Sequence, residues 1–163
     1  MFNNINIYWI NLNRATERKE KMINIFNDYK LKHTRIEAVD GNDIDLEEIK
    51  KNYKIDEGMS KYEIACSMSH IKAIEIAYNN DLDHVLIFED DVRFDYLKYH
   101  TISIESLIDK LLSLNGDCIQ LSCTLNTKQI KFIINHKDLL IKYNISGGTV
   151  AYLITKNGMK KIL

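Results

Sequence analysis

Val85-Leu86-Ile87-Phe88-Glu89-Asp90-Asp91 joins four consecutive apolar residues to three consecutive carboxylates. A short continuous apolar run is typical of a strand that is buried on both faces. Like charges at the end of such a strand repel and raise each other's pKa unless a cation lies among them. A hard divalent metal takes oxygen ligands and commonly bridges carboxylates to phosphates, so the stretch predicts a metal and a phosphorylated ligand. An acidic turn that ends a strand in water has the same pattern and stays open here.

The composition indicates one globular domain, expected to span residues 1–163, with 45% hydrophobic and 28% charged residues. A net charge of -1 excludes bulk attraction to nucleic acid. The three cysteines lack Cys-x-x-Cys spacing, which argues against a disulfide framework or a zinc knuckle. No stretch approaches the roughly 20 apolar residues of a membrane span, and no basic, apolar leader opens the chain.

Strand and helix patterns alternate over the first two-thirds of the chain, which predicts an α/β fold with a mixed, mostly parallel sheet flanked by helices. The predicted strands are Ile5–Asn11, His33–Val39, His84–Phe88, Cys118–Ser122, Lys131–Asn135, Leu139–Tyr143 and Thr149–Ile154. The predicted helices are Ala15–Tyr29, Leu46–Tyr53, Ser60–Tyr78, Ile102–Leu114 and Lys156–Leu163. In such sheets ligands bind beyond the carboxyl ends of the strands. Loops at 11–14, 40–41 and 89–91 are therefore expected to share one crevice.

Arg14 and Arg18 lie four residues apart at the start of the first predicted helix, so they share a face near the positive end of its dipole. They are candidates to hold a diphosphate. An ordinary surface arrangement with Glu17 accounts for the same spacing.

His70 follows Cys66 and Ser69 in a helix that leads back to the acidic strand, so it is a candidate to line the crevice. A lone helical histidine is more often structural, and Cys66 is more often a small core residue than a nucleophile. Gly148 and Thr149 precede a strand and offer backbone that a ligand can approach, or form a plain turn.

Two other protein classes share the apolar strand with terminal acids. A Walker B element requires a Gly-x-x-x-x-Gly-Lys-Ser/Thr loop, which the chain lacks. A receiver domain carries Glu-Asp-Asp normally on its first strand, whereas two predicted strands and a long helix precede Glu89.

Five blocks occur in the order and spacing of one enzyme family. They are Ile10-Asn11-Leu12-Asn13-Arg14 with Glu17-Arg18, Ala38-Val39-Asp40-Gly41, Glu63-Ile64-Ala65-Cys66-Ser67-Met68-Ser69-His70, Val85 to Asp91, and Gly148-Thr149-Val150-Ala151-Tyr152-Leu153-Ile154 with Gly158. Over nearly its whole length the chain resembles glycosyltransferase family 25, which contains bacterial lipooligosaccharide galactosyltransferases and collagen hydroxylysine galactosyltransferases.

The resemblance implies a GT-A nucleotide-diphospho-sugar fold with Mn²⁺ (or Mg²⁺) at an Asp-x-Asp-like motif. Glu89, Asp90 and Asp91 occupy that motif, with Asp91 as the direct ligand. The nucleotide and the rest of the donor are expected to contact Asn11, Asn13, Arg14, Arg18, Asp40, Gly41, Ser69, His70, Gly148 and Thr149.

The resemblance also implies transfer of galactose or glucose from a UDP-sugar to a hydroxyl of a glycan, as in lipopolysaccharide biosynthesis, or of a hydroxylysine-type protein side chain, as in collagen glycosylation. Inverting transfer needs a general base, for which Asp117 and Asp138 are candidates. The alternatives are a non-catalytic nucleotide-sugar-binding partner of a complete transferase, and a structural metal-binding domain. A cytoplasmic protein, peripheral at a membrane that carries the acceptor, is expected.

The chain departs from the family pattern in two places. Family members usually continue well beyond the glycine-containing helix, whereas this chain ends at Leu163. A fragment or a minimal member is therefore expected, and such a truncation would preserve donor binding while removing transfer. Asn13 stands where the family often has Asp.

Overall fold

The computed structural model describes residues 5–95, 102–122 and 148–163. The strands are β1 (Ile7–Asn11), β2 (Thr34–Glu37), β3 (His84–Glu89), β4 (Cys118–Gln120) and β5 (Ala151–Thr155). The helices are α1 (Thr16–Asp28), α2 (Leu46–Asn52), α3 (Lys61–Asn79), α4 (Ile104–Ser113) and α5 (Lys156–Ile162). The predicted strands Lys131–Asn135 and Leu139–Tyr143, and the candidate base Asp138, lie outside the described residues.

The five strands form one sheet in the order β2-β1-β3-β5-β4. β1 runs parallel to both β2 and β3, whereas β5 runs antiparallel to both β3 and β4. Among the described strands, β5 alone is therefore reversed, and the predicted mixed, mostly parallel sheet is confirmed. The carboxyl ends of β1, β2, β3 and β4 and the amino end of β5 all lie at one edge of the sheet.

Alternation along β3 separates two hydrophobic layers, because successive side chains of a strand point to opposite faces. Leu86 and Phe88 pack with the buried side chains of α1 and α4. Val85 and Ile87 pack on the other face with the buried side chains of α3 and α5. The sheet is thus covered by helices on both sides, which explains why its central strand is a continuous apolar run.

Helix α3 begins at the predicted capping box. The Ser60 side chain accepts from the backbone N–H of Glu63, and the Glu63 carboxylate accepts from the backbone N–H of Ser60 at 2.8 Å. The N–H and the hydroxyl of Ser60 both donate to the Glu63 carboxylate, and these two hydrogen bonds lower the pKa of Glu63. Because the cap fixes where α3 starts, it also fixes which of its turns faces the carboxyl edge of the sheet. Within the described ranges, every helix is too short or too polar to cross a membrane.

Candidate functional site

A crevice of ≈ 180 Å³ opens at the carboxyl edge of the sheet, where β1, β2 and β3 end beside the first turns of α3. Its walls contain eight of the residues predicted for the site. These are Asn11, Arg14, Arg18, Gly41, Ser69, His70, Glu89 and Asp90. The predicted convergence of three loops in one crevice is therefore confirmed for the residues that line it.

Asn11 lies at the centre of this edge, and its side chain is 1% exposed. Its Nδ2 donates to Asp90 Oδ2 at 2.6 Å and to the Ala15 carbonyl at 3.2 Å. Its Oδ1 accepts from Arg35 Nε at 2.9 Å, and the same guanidinium donates to Asn13 Oδ1 at 2.9 Å. A buried amide with both ends bonded is rigid, so Asn11 ties the end of β1 to the acidic end of β3.

Arg14 and Arg18 both lie at the crevice, and each has a carboxylate partner on another loop. Arg14 precedes α1 and donates to both oxygens of Asp40, at 2.6 and 3.2 Å. Arg18, in the first turn of α1, lies 3.0 Å from Asp90 Oδ1. Both side chains are about half exposed, so an incoming anion can reach either guanidinium.

Arg14 makes Asp40 an unusually strong acid. Its hydrogen bonds, with one from the Asn42 backbone, lower the Asp40 pKa to about 2. We expect NMR titration to find this value, and Arg14→Gln to move the pKa back toward the ordinary 3.8 while the Asn42 bond retains part of the shift. Because the pKa is lowered on folding, the pair stabilises above pH 3.8 and this is lost as the pH falls toward 2. An unchanged Asp40 pKa in Arg14→Gln would contradict the assignment.

The three carboxylates at the end of β3 have different surroundings. Asp90 is buried, and its two oxygens face Asn11 and Arg18. Glu89 is half-buried, and its Oε1 accepts from Thr149 Oγ1 at 2.5 Å. Asp91 is the exposed member of the three. Partial burial of its carboxyl group, together with the charges of Glu89 and Asp90, raises its pKa.

His70 is buried behind Glu89. Its Nε2 lies 3.4 Å from Glu89 Oε1, and its Nδ1 lies 3.1 Å from the Tyr152 hydroxyl. Burial lowers the pKa of His70, but the neighbouring Cys66 and Glu89 side chains outweigh it and raise the pKa to about 9. The pKa of Glu89 is correspondingly lowered, chiefly by His70. The imidazolium thus partly balances the acidic strand end.

Two further residues predicted for the site, Gly41 and Ser69, position the backbone of the loop after β2. A Cβ at Gly41 would lie 2.7 Å from Tyr62 Cδ1 and 3.2 Å from Tyr62 Cα, so only glycine lets this loop approach α3 so closely. Ser69 Oγ accepts from the Val39 N–H at 2.9 Å and donates to the Ala65 carbonyl at 2.7 Å. The Ser69–Val39 hydrogen bond and the close packing of Gly41 on Tyr62 hold the loop after β2 against α3.

A family model described as glycosyltransferase family 25 (LPS biosynthesis protein) matches residues 4–163. The chain belongs to glycosyltransferase family 25. The match covers all of the strands and helices that shape the crevice.

Named relatives of this family 25 chain align over 96% of its length. A glycosyltransferase 25 family member from Aedes aegypti is 30% identical, and procollagen galactosyltransferase 2 from Mus musculus is 25% identical. A third, probable inactive glycosyltransferase 25 family member 3 from Bos taurus, is 24% identical. The chain spans 27%, 27% and 28% of the lengths of these three proteins, respectively.

One residue predicted for the family 25 site lies elsewhere. Asp117 precedes β4 at the opposite edge of the sheet, where its carbonyl accepts from the Thr155 N–H. Its carboxylate accepts from Asn157 Nδ2 at 2.6 Å and from Lys161 Nζ at 2.5 Å, and Lys161 lowers its pKa. The length of β3 separates it from the crevice, roughly 16 Å at 3.3 Å per residue. The structure does not bring Asp117 together with the other candidates.

Gly148 and Thr149, in contrast, precede the reversed strand β5, and Thr149 reaches the site through Glu89. Thr149 bonds Glu89, and the Gly148 carbonyl accepts from the Gln120 side chain. Gly148 has φ 90, a left-handed conformation that favours glycine.

Sequence reasoning missed Arg35 and Tyr152, which hold Asn11 and His70 in place. Arg35 carried one signal, a long cation inside a short predicted strand. Tyr152 belonged to the fifth family block, but no role was assigned to it there, because an aromatic residue in a buried strand is ordinary.

Proposed function

We propose that the crevice binds a UDP-hexose and that the chain takes part in transferring the sugar to a hydroxyl of a glycan or of a hydroxylated protein side chain. The observation that carries this proposal is that two half-exposed guanidinium groups, Arg14 and Arg18, line the same crevice as the carboxylates that end β3. The guanidinium groups suit the diphosphate of the donor, and the carboxylates suit a divalent cation. The name of the Mus musculus relative supports galactose as the sugar.

The residues present fit a hard divalent cation, Mn²⁺ or Mg²⁺. Glu89 and Asp91 offer carboxylate oxygens, the ligands that such ions take. Burial is the largest cause of the raised pKa of Asp91, and repulsion from Glu89 and Asp90 adds to it; a cation would relieve that repulsion. Asp90 has both oxygens engaged by Asn11 and Arg18, so we assign it a positioning role.

The residues of this chain bind and orient the donor. A bound cation supplies neutralisation of the charge that develops on the departing diphosphate. Arg14, just before α1, and Arg18, in its first turn, face the same charge. Gly41 lets the loop after β2 lie close against α3 in the wall of the crevice. Neither Asp117 nor another described residue is assigned as the base that deprotonates the acceptor.

Thermal unfolding with UDP and Mn²⁺ tests donor binding. A ligand that binds only the native state at 100 times its Kd adds about 2.7 kcal/mol to the free energy of unfolding, so we expect UDP with Mn²⁺ to raise Tm clearly. Without Mn²⁺, or in Asp91→Ala, the rise should largely disappear. The matched control is Asp83→Ala, an exposed carboxylate that precedes the other end of β3 and should leave the UDP shift unchanged. An equal UDP shift in all three proteins would contradict the proposal.

A non-catalytic donor-binding domain is the second candidate. The observation that favours it is the Bos taurus relative, whose name includes probable inactive and which aligns over the same 96% of the chain. The two candidates separate on turnover: release of UDP from UDP-galactose above the rate without protein supports the transferase, whereas UDP binding with no release for any acceptor supports the binding domain.

A further inference from the structure

Cys66, His70 and Glu89 form a second potential ligand set in the wall of the crevice. One sulfur, one imidazole nitrogen and one carboxylate oxygen lie within 4.8 Å of one another. Cys66 is exposed, His70 is buried and Glu89 is half-buried, so the group spans the wall from its surface to its interior. This set differs in chemistry from the all-oxygen set of Glu89 and Asp91.

The buried nitrogen of His70 points to a ligand. The His70 residue is 8% exposed, and its buried Nε2 makes no hydrogen bond to a described residue, although Glu89 Oε1 lies 3.4 Å away. Leaving a buried polar atom without a partner costs free energy, so such an atom requires an explanation. The other ring nitrogen, Nδ1, faces the Tyr152 hydroxyl at 3.1 Å. A metal-binding histidine typically donates its second ring N–H to such a group, which orients the ring.

The spacing matches tetrahedral zinc. Zn–N and Zn–O bonds of about 2.0–2.1 Å place two ligand atoms about 3.4 Å apart across a tetrahedron. His70 Nε2 and Glu89 Oε1 are 3.4 Å apart. The longer Zn–S bond of about 2.3 Å requires the Cys66 sulfur at about 3.6 Å from the other two atoms. Since one sulfur, one imidazole nitrogen and one carboxylate oxygen of the three residues already lie within 4.8 Å of one another, a small rotation of the exposed Cys66 side chain suffices to bring its sulfur into range.

We propose that Cys66, His70 and Glu89 bind Zn²⁺, with the fourth coordination position open to the crevice. Thiolate and imidazole ligands favour zinc over Mn²⁺ and Mg²⁺, so this site differs from the hard-cation site in the ion that it selects. Binding replaces the protons on the thiol and on Nε2 with the metal. Because both sites use Glu89, zinc would compete with the donor-bridging cation, a consequence that rests on the proposed function.

Cobalt absorption tests the site directly, since Co²⁺ takes similar ligands and a thiolate bound to it gives a near-ultraviolet charge-transfer band. We expect the band with the wild type, its loss on adding Zn²⁺, and its absence in Cys66→Ser. The matched controls Cys118→Ser and Cys123→Ser keep Cys66 and should retain the band. Absence of the band in the wild type, or its persistence in Cys66→Ser, would overturn the proposal.

A second variant separates coordination from loss of folding. Tyr152→Phe removes only the hydroxyl that faces Nδ1, so we expect it to retain the cobalt band and to bind Zn²⁺ about 10–100-fold more weakly. Unchanged zinc affinity in Tyr152→Phe would refute the role given to His70. A cooperative thermal unfolding transition, measured without metal, verifies that each variant is folded. The assay contains no nucleotide or sugar, so its failure is distinct from failure of the proposed function.

Discussion

Asp91→Asn is expected to reduce sugar transfer by at least about 10²-fold at saturating donor, with Mn²⁺ present. The substitution removes a negative ligand from the proposed cation, and removing one group that stabilises developing charge costs about 2.7–4 kcal/mol in an oxyanion hole. The fold should persist, because Asp91 is exposed and the change preserves its size. The measurement is release of UDP from UDP-galactose with a glycan or hydroxylysine-containing acceptor.

The control for this effect is Asp83→Asn, which makes the same chemical change just before the other end of β3. It should match the wild type in both turnover and Tm. If Asp91→Asn retains wild-type turnover, then Asp91 is not the metal ligand and the acidic strand end serves another purpose.

Phe26→Ala is expected to lower the free energy of unfolding by about 3–5 kcal/mol, the usual cost of removing a buried aromatic side chain. Phe26 is 0% exposed and stacks on His33 with ring centroids 4.4 Å apart. It also meets Trp9 from β1 and Phe88 from β3 at 5.8 and 6.4 Å. Removing its ring opens a cavity between α1 and the two strands that end at the crevice.

Urea denaturation measures this loss, and the matched control is Tyr29→Ala. Tyr29 follows α1 one turn after Phe26 and is 44% exposed, so its truncation should cost about 1 kcal/mol or less. Similar losses in the two variants would contradict the assignment of Phe26 to the core. Because small domains are stable by only about 5–15 kcal/mol, Phe26→Ala should also lower Tm markedly.

Much of the fold was predictable because the hydrophobic pattern and the helix caps are visible in short stretches of sequence. The run Val85–Phe88 could only be buried on both faces, and Ser60 with Glu63 marked the start of α3. The reversal of β5 was not predictable, since Ala151–Thr155 is buried throughout and fits a sheet equally well in either direction. The direction of a strand is set by its pairing with neighbouring strands, which cannot be inferred from its own sequence pattern.

The site was predictable where residues follow the carboxyl end of a strand. Asn11, Arg14, Gly41 and Glu89 meet in the crevice for that reason. Asp117 precedes its strand, and the same rule places it at the far edge, where Lys161 binds it. The partners of Asn11 and His70 come from strands that are distant in sequence, so they could be identified only from the three-dimensional structure.

The reversed strand has a consequence for how the acidic end of β3 is held. Because β5 runs antiparallel to β3, it begins at the edge where β3 ends. The residues just before β5 therefore meet that end, and Thr149 donates to Glu89 there. A parallel strand in the same place would begin at the opposite edge of the sheet, with its preceding residues beside His84 instead. One antiparallel strand thus lets two distant segments of the chain fix a single carboxylate.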